Sequence, residues 1–246
     1  MIDTHAHLTA LDDAEEAIER AADAGVTRIL SVGTDVGDCR RALSLAEQHD
    51  GVFAILGIHP HEAGTATADD LAALRELLAH PKAVAVGETG LDWFRDYAPR
   101  EDQRRLFAAQ LELAGELGKP VAIHTRAADD DTLGALAGHA GTVVLHCFSS
   151  PRMLPTALER GWYVSFAGNA TFPKAVDLRL AATQVRAERI LAETDSPYLS
   201  PQPVRGRRNE PANVVHTLAA LAQARGVEPA ELERQIERNA EQCFGL

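Results

Sequence analysis

The sequence predicts a single α/β domain built as a (β/α)8 TIM barrel, and three observations lead there. Short apolar, β-branched runs alternate with amphipathic stretches along the whole chain. Eight such runs are present, and a closed ring of eight needs about 250 residues, close to the 246 available. The third observation is chemical: His5 and His7, Glu88, His124, His146 and Asp195 stand where apolar runs end. A titratable group at a buried strand is costly unless something compensates it. A series of them suggests parallel strands whose C-terminal ends converge on a metal. An open doubly wound sheet is the rival, but it would not readily bring the first, fourth, fifth, sixth and eighth runs to one point.

Strands are expected at Met1–Thr4, Val26–Val32, Val52–Ile58, Ala83–Gly87, Val121–Ile123, Thr142–Leu145, Trp162–Phe166 and Arg189–Ala192. Short continuous apolar runs of this kind suit strands covered on both faces. Helices are expected at Leu11–Ala24, Cys39–His49, Ala68–His80, Glu101–Leu117, Asp131–Gly138, Pro151–Glu159 and Pro173–Gln184. Gly25, Gly51, Pro81, Pro120, Gly141 and Gly161 each stop a helix before the next strand. Extra C-terminal helices follow, Pro211–Arg225 and Pro229–Cys243, each opened by a proline. No linker, repeat or low-complexity stretch divides residues 1–246, so one domain is expected.

An apolar content of 46% is ordinary for a chain with a sizeable core. No apolar run nears the ~18 residues of a membrane span, and the N-terminus lacks the pattern of a secretion signal. Cys39, Cys147 and Cys243 are scattered, without metal-type spacing. That favours reduced thiols and a cytoplasmic enzyme. A net charge of −12 argues against a general nucleic-acid-coating protein, whose footprint is basic. It leaves open an enzyme that grips a few phosphates locally, and it favours a compact monomer.

His5 and His7 lie two apart on an extended segment and so point to one face. At this spacing their nitrogens can reach one ion at ~2.0–2.1 Å. Each residue of the series has a plain structural alternative: a core histidine bonded to backbone, a cap, a turn carboxylate. Together at separate strand ends, they favour the metal. Four histidines and two carboxylates exceed one tetrahedral site, and two divalent ions ~3.5–4 Å apart would use them well, with Glu88 between. Nitrogen-rich ligation favours zinc or manganese, and the oxygen ligands keep magnesium open. Hydrolysis is the natural chemistry. His59, ending the third run, is a candidate substrate contact, whereas His61 suits a turn equally well. Arg126 is a second candidate contact, with a salt bridge to the Asp129–Asp131 run as its alternative. Arg205, Arg207 and Asn209 follow the last strand, where barrels often hold phosphate, and guanidinium groups bind phosphate bidentately.

Asp3-Thr4-His5-Ala6-His7-Leu8, Gly57-Ile58-His59-Pro60, Gly87-Glu88-Thr89-Gly90-Leu91-Asp92 and His124-Thr125-Arg126 form the first half of an ordered motif set. His146-Cys147-Phe148-Ser149, Glu193-Thr194-Asp195-Ser196-Pro197-Tyr198 and Arg205-Gly206-Arg207-Arg208-Asn209-Glu210-Pro211 complete it, with Gln103, Phe107 and Gln110 between. In this set the chain resembles the TatD-like metal-dependent hydrolases of the amidohydrolase superfamily. The resemblance implies a TIM barrel with divalent-metal-dependent deoxyribonuclease activity. It implies that His5, His7, Glu88 and Asp195 serve one metal, and Glu88, His124 and His146 a second. Asp195 would take the proton of the attacking water, and His59 and the arginine loop would touch substrate. Ser150 departs from the glycine common after His-Cys-Phe-Ser, which bears on loop shape. The superfamily's carbamylated lysine is absent from the fourth strand, where Glu88 stands instead. The expected substrate is DNA, at single-stranded or frayed ends. The alternative is a small ester, amide or aminoacyl bond cleaved by the same two-metal centre.

Overall fold

The computed structural model describes residues 1–95 and 97–246. Its strands are β1 (Ile2–Ala6), β2 (Arg28–Gly33), β3 (Val52–Leu56), β4 (Ala83–Asp92), β5 (Val121–Arg126), β6 (Val143–Leu145), β7 (Tyr163–Phe166) and β8 (Ile190–Ala192). They belong to one sheet in chain order. The helices are α1 (Ala14–Asp23), α2 (Val36–Gln48), α3 (Ala68–Leu77), α4 (Arg100–Leu117), α5 (Asp129–Leu136), α6 (Leu154–Arg160), α7 (Val176–Gln184), α8 (Val214–Arg225) and α9 (Pro229–Phe244). A helix follows every strand, and the β3–β4, β4–β5, β5–β6 and β7–β8 pairs are parallel. This is the (β/α)8 TIM-barrel fold expected, with the extra C-terminal helix α9. Among the described residues no helix is long and apolar enough to cross a membrane.

Two compact units make up the chain. Ser31–Leu145 is one of them. Its strands bury an almost unbroken apolar series, including Val52, Ile55, Leu56, Val86, Val121 and Ile123. Buried amides from α4 satisfy the strand ends: Gln110 Oε1 accepts from Ile58 N at 2.8 Å, and its Nε2 donates to Thr89 Oγ1 at 2.7 Å. Gln103 Oε1 accepts from Asp92 N at 2.9 Å. β4 runs on to Asp92 instead of ending at Gly87, because Gly90, Leu91 and Asp92 stay paired with His124, Thr125 and Arg126. Glu88 and His124 therefore lie inside strands. α2 starts at Val36, ahead of the expected Cys39, since the Asp35 carboxylate accepts from Asp38 N and caps the helix there.

The second unit joins Met1–Leu30 to His146–Leu246. Thr4 Oγ1 donates to Ala192 O at 3.1 Å, and the Asp3 carboxylate accepts from Thr194 N at 2.9 Å, fastening β1 to the end of β8. Ile2, Val164, Phe166, Leu191 and Ile236 are buried in its core. α9 closes this core with Asn239 Nδ2, which donates to Ala187 O and Ile190 O at 2.7 and 2.8 Å. Pro151, Pro173 and Pro211 do not open α6, α7 and α8 directly. Pro151–Met153 and Pro211–Asn213 are short 3-10 turns that lead into α6 and α8, and α7 begins only at Val176.

Candidate metal centre

Each unit carries one group of metal-type donors. In the unit of Met1–Leu30 and His146–Leu246, Asp195 N donates to His5 O at 2.9 Å, and His7 N donates to Ser196 O at 2.8 Å. These backbone bonds set the residue after β8 beside the end of β1. Asp195 takes a φ of 55°, a left-handed conformation costly for a residue with a side chain and typical of functional sites. The His5 and His146 rings stack with centroids 3.9 Å apart. One ligand atom each from His5, His146 and Asp195 lies within 4.8 Å of the others. His7 Nε2 stands 3.4 Å from Asp195 Oδ1. Burial works against the Asp195 carboxylate, but the His7 hydrogen bond and the nearby His146, His7 and His5 rings outweigh it, so its pKa falls below the usual range.

Behind this group stand two further carboxylates. Glu193 Oε1 lies 3.1 Å from His146 Nδ1 and accepts from Cys147 N at 2.8 Å. A proton held on Nδ1 by this carboxylate leaves Nε2 as the coordinating nitrogen. Asp3 is wholly buried, and burial pushes its pKa up to about 8. It accepts from Thr194 Oγ1 at 2.5 Å and from His5 N at 3.3 Å, which locks the backbone beneath two donors.

In Ser31–Leu145, one ligand atom each from His59, Glu88 and His124 lies within 4.8 Å of the others. His124 Nδ1 stands 2.6 Å from Glu88 Oε1, and its Nε2 stands 3.3 Å from Asp92 Oδ2. His61 Nε2 reaches the same Asp92 oxygen at 2.9 Å. Asp92 Oδ1 accepts from Phe94 N and Arg95 N, each at 2.9 Å. Burial would raise the Asp92 pKa, yet hydrogen bonds from His124, His61 and Arg95 hold it well below the usual carboxylate range. His59 shows the opposite balance: burial lowers it to about 4, against the pull of Glu88. At neutral pH the ring is uncharged. Its Nδ1 accepts from His61 N at 3.2 Å, which assigns the proton to Nε2, 3.5 Å from Glu88 Oε1.

Both groups fit a divalent cation. Each mixes imidazole nitrogen with carboxylate oxygen, and in each a further carboxylate, Glu193 or Asp92, contacts a candidate ligand. The structure gathers His5, His7, His146 and Asp195 in one unit and His59, Glu88 and His124 in the other. His59, expected from the sequence as a substrate contact, stands beside the Glu88 and His124 donors, and Asp3, Asp92 and Glu193 have no role that the sequence pattern assigns. Those three lie inside the ordered motif set. Their signal was position, one or two residues from a ligand or at a strand end.

The remaining candidates divide. Asn209 is fully buried; its Nδ2 donates to Thr194 O and Tyr198 O at 3.0 and 2.6 Å, and its Oδ1 accepts from Glu210 N and Asn213 Nδ2. It shapes the loop from within. The Arg205 guanidinium covers the Phe172 ring at 3.9 Å, and Arg208 binds Asp12 and the Ala10 carbonyl. Arg207 is exposed, its own carbonyl held by Ser200 Oγ at 2.5 Å. Arg126 lies over Phe94 at 3.9 Å, while Asp131 is taken by Trp93 Nε1 and Arg104 at 2.8 and 3.0 Å.

A (β/α)8 fold with imidazole and carboxylate donors in and just after its strands defines the class as the metallohydrolase barrels. The profile of the TatD-related DNase family matches residues 2–245. The chain belongs to this family. It is 40% identical to the uncharacterized metal-dependent hydrolase TatD of Mycobacterium tuberculosis, over all of this chain and 98% of that protein. It is 38% identical to the 3'-5' ssDNA/RNA exonuclease TatD of Erwinia billingiae, over 100% and 99% of the two chains. The crystal structure of YJJV, a TatD homologue from Escherichia coli K12, superposes with a TM-score of 0.94 at 31% identity, covering 100% of this chain and 98% of that one.

Proposed function

We propose that this chain is a divalent-metal-dependent nuclease that removes nucleotides from single-stranded or frayed DNA ends. The observation that carries the reading is the pair of donor groups, each combining imidazoles with a carboxylate, in a chain of the TatD-related DNase family. The exonuclease name of a relative aligned from end to end supports the substrate class. His5, His7, His146 and Asp195 would hold one ion, and Glu88 and His124 would serve the other, with magnesium, manganese or zinc as the metal. Bound divalent ions supply an activated water and stabilise charge on the attacking and leaving oxygens.

This chain's own groups do the rest. Asp195 is held ionised by His7 and the neighbouring rings, so it can accept the proton of the attacking water. His59 is neutral, with its proton on Nε2, and can donate to a non-bridging phosphate oxygen. Arg207, exposed in the loop after β8, can meet the next phosphate along the strand. We place the enzyme in the cytoplasm, in keeping with its three cysteine thiols, and as a monomer, in keeping with its net charge of −12.

The test is nucleotide release from 3′- and 5′-labelled single-stranded DNA, with magnesium, manganese or zinc restored to chelated protein. Metal-restored cleavage is expected in the wild type, with turnover lost in Glu88→Ala and in Asp195→Asn. The label that leaves first gives the polarity. Absence of cleavage by protein shown to bind two ions would overturn the nuclease reading in favour of a small ester, amide or aminoacyl substrate.

A further inference from the structure

Beyond the donors, the turn that follows β4 presents an unusual surface. Phe94 and Tyr97 are 61% and 64% exposed, and with Val176, Leu180 and Tyr198 they are the large apolar side chains most open to water among the described residues. Neither ring stands alone. Arg126 lies over Phe94 at 3.9 Å, and Arg95 is shared between Phe94 and Tyr97 at 5.5 and 5.8 Å. Just behind them Arg100 and Arg104 flank Trp93 at 4.8 and 5.1 Å. In a chain of net charge −12 this is a local concentration of guanidinium groups. Arg104 is paired with Asp131 at 3.0 Å.

The placement of this surface is fixed by the candidate metal site. Asp92 uses one oxygen for His124 and His61 and the other for the backbone N–H groups of Phe94 and Arg95. Trp93 N donates to Arg126 O at 2.8 Å, carrying the β4–β5 register into the turn. Tyr97 meets the His61 ring edge-on with centroids 4.7 Å apart, and His61 meets His59 at 4.3 Å. A path of ring contacts therefore leads from the donor group out to the exposed rings.

We infer that Phe94 and Tyr97, with Arg95 and Arg126, form a stacking platform for the unpaired bases of a single-stranded DNA end. The inference rests on the nuclease reading and deepens it by naming what grips the strand. An exposed aromatic face accepts any base, whatever its sequence, and an adjacent guanidinium meets the phosphate of the same nucleotide. Duplex bases already stack on each other and have no face to offer. The platform thus selects single strands by what they leave uncovered, without reading base edges.

The experiment uses a short single-stranded oligodeoxynucleotide containing 2-aminopurine, titrated with full-length chelated protein so that binding is read without cleavage. Stacking quenches the 2-aminopurine fluorescence. Wild-type protein should quench it, and Phe94→Ala should lose the quench and weaken binding about tenfold. Tyr97→Ala should behave similarly. Phe94→Trp should restore both signals and Phe94→Leu should restore neither, which a role confined to packing would not produce. Equal quench and affinity in wild type, Phe94→Ala and Tyr97→Ala would overturn the platform, as would wild-type protein that fails to bind the oligonucleotide. Quenching by wild type and its loss in the variants, in protein that no metal makes cleave DNA, would uphold the platform and overturn the nuclease reading alone.

Discussion

Which nitrogen of an imidazole faces outward is decided by what stands behind the ring, and here Glu193 makes that decision for His146. Its Oε1 also receives the Cys147 N–H, so one buried oxygen sets both the tautomer and the turn that carries the ring. Glu193→Gln keeps the shape but can offer its N–H in place of an acceptor, and it removes the negative charge that strengthens the ligand. A 10–100-fold loss of metal affinity is expected, with unchanged far-ultraviolet circular dichroism; titration of the chelated protein with manganese checks it. Unaltered affinity would mean that His146 is held by its strand alone. At this same scale the sequence was partly legible. The candidate donors are legible as His, Glu and Asp at strand ends. Asp3, Asp92 and Glu193 are the same residue types one step further back, and nothing in a one-dimensional pattern separates a ligand from the carboxylate that orients it. Asn209 misled in the other direction, because an amide beside three arginines reads as a phosphate contact until its four hydrogen bonds to its own loop are seen.

Between elements, the tightest tolerance is where β4 passes β5. A Cβ on Gly90 would fall 1.9 Å from the His124 carbonyl oxygen, and the backbone there has a φ of 145°, open in practice to glycine. Gly90→Ala must push the strands apart or twist β4, at a cost of about 3 kcal/mol or more. Glu88 lies two residues before Gly90 on β4, and His124 is its partner on β5. The expected outcome is a lowered urea midpoint together with loss of metal binding; an unaltered midpoint would show that the pair has slack. The sequence indicated β4 and β5 as strands but ended them early, at Gly87 and Ile123. Glycine and polar residues mark strand ends in a local reading. Here Gly-Glu-Thr-Gly continues the strand because the neighbour offers a full set of hydrogen-bonding partners, which is a tertiary fact. Helix starts displaced from Pro151 and Pro211 have a related cause, since proline suits the first residue of a 3-10 turn as well as that of an α-helix.

For the molecule as a whole, the succession of strands and helices was the most legible property. Eight short apolar runs with glycine or proline between them leave few other architectures. Thiol chemistry offers a global probe of how firmly that architecture is closed. Burial pushes the Cys39 thiol up to about 12 and raises Cys243 as well, whereas Cys147 is only half-buried. Because the thiolate is the reactive form, a disulfide reagent at pH 8 should titrate one thiol in the native protein and three in denaturant. Two or three rapid native thiols would show that α2 or α9 opens readily. The raised values also fix the sign of the alkaline response. Below the ordinary thiol pKa both folded and unfolded chains keep the proton and stability is unaffected. As pH climbs past 9 only the unfolded chain releases it, so stability falls. Cys39→Ala should blunt that fall in a pH series of melting temperatures.

Thr194 and Asp3 are joined although 191 positions separate them in the chain. During synthesis on the ribosome, His5 and His7 emerge among the first residues and wait through nearly the whole of translation for Asp195. The donors of Ser31–Leu145, by contrast, are all made once His124 has appeared. A prematurely terminated product is therefore left with an incomplete set of candidate donors.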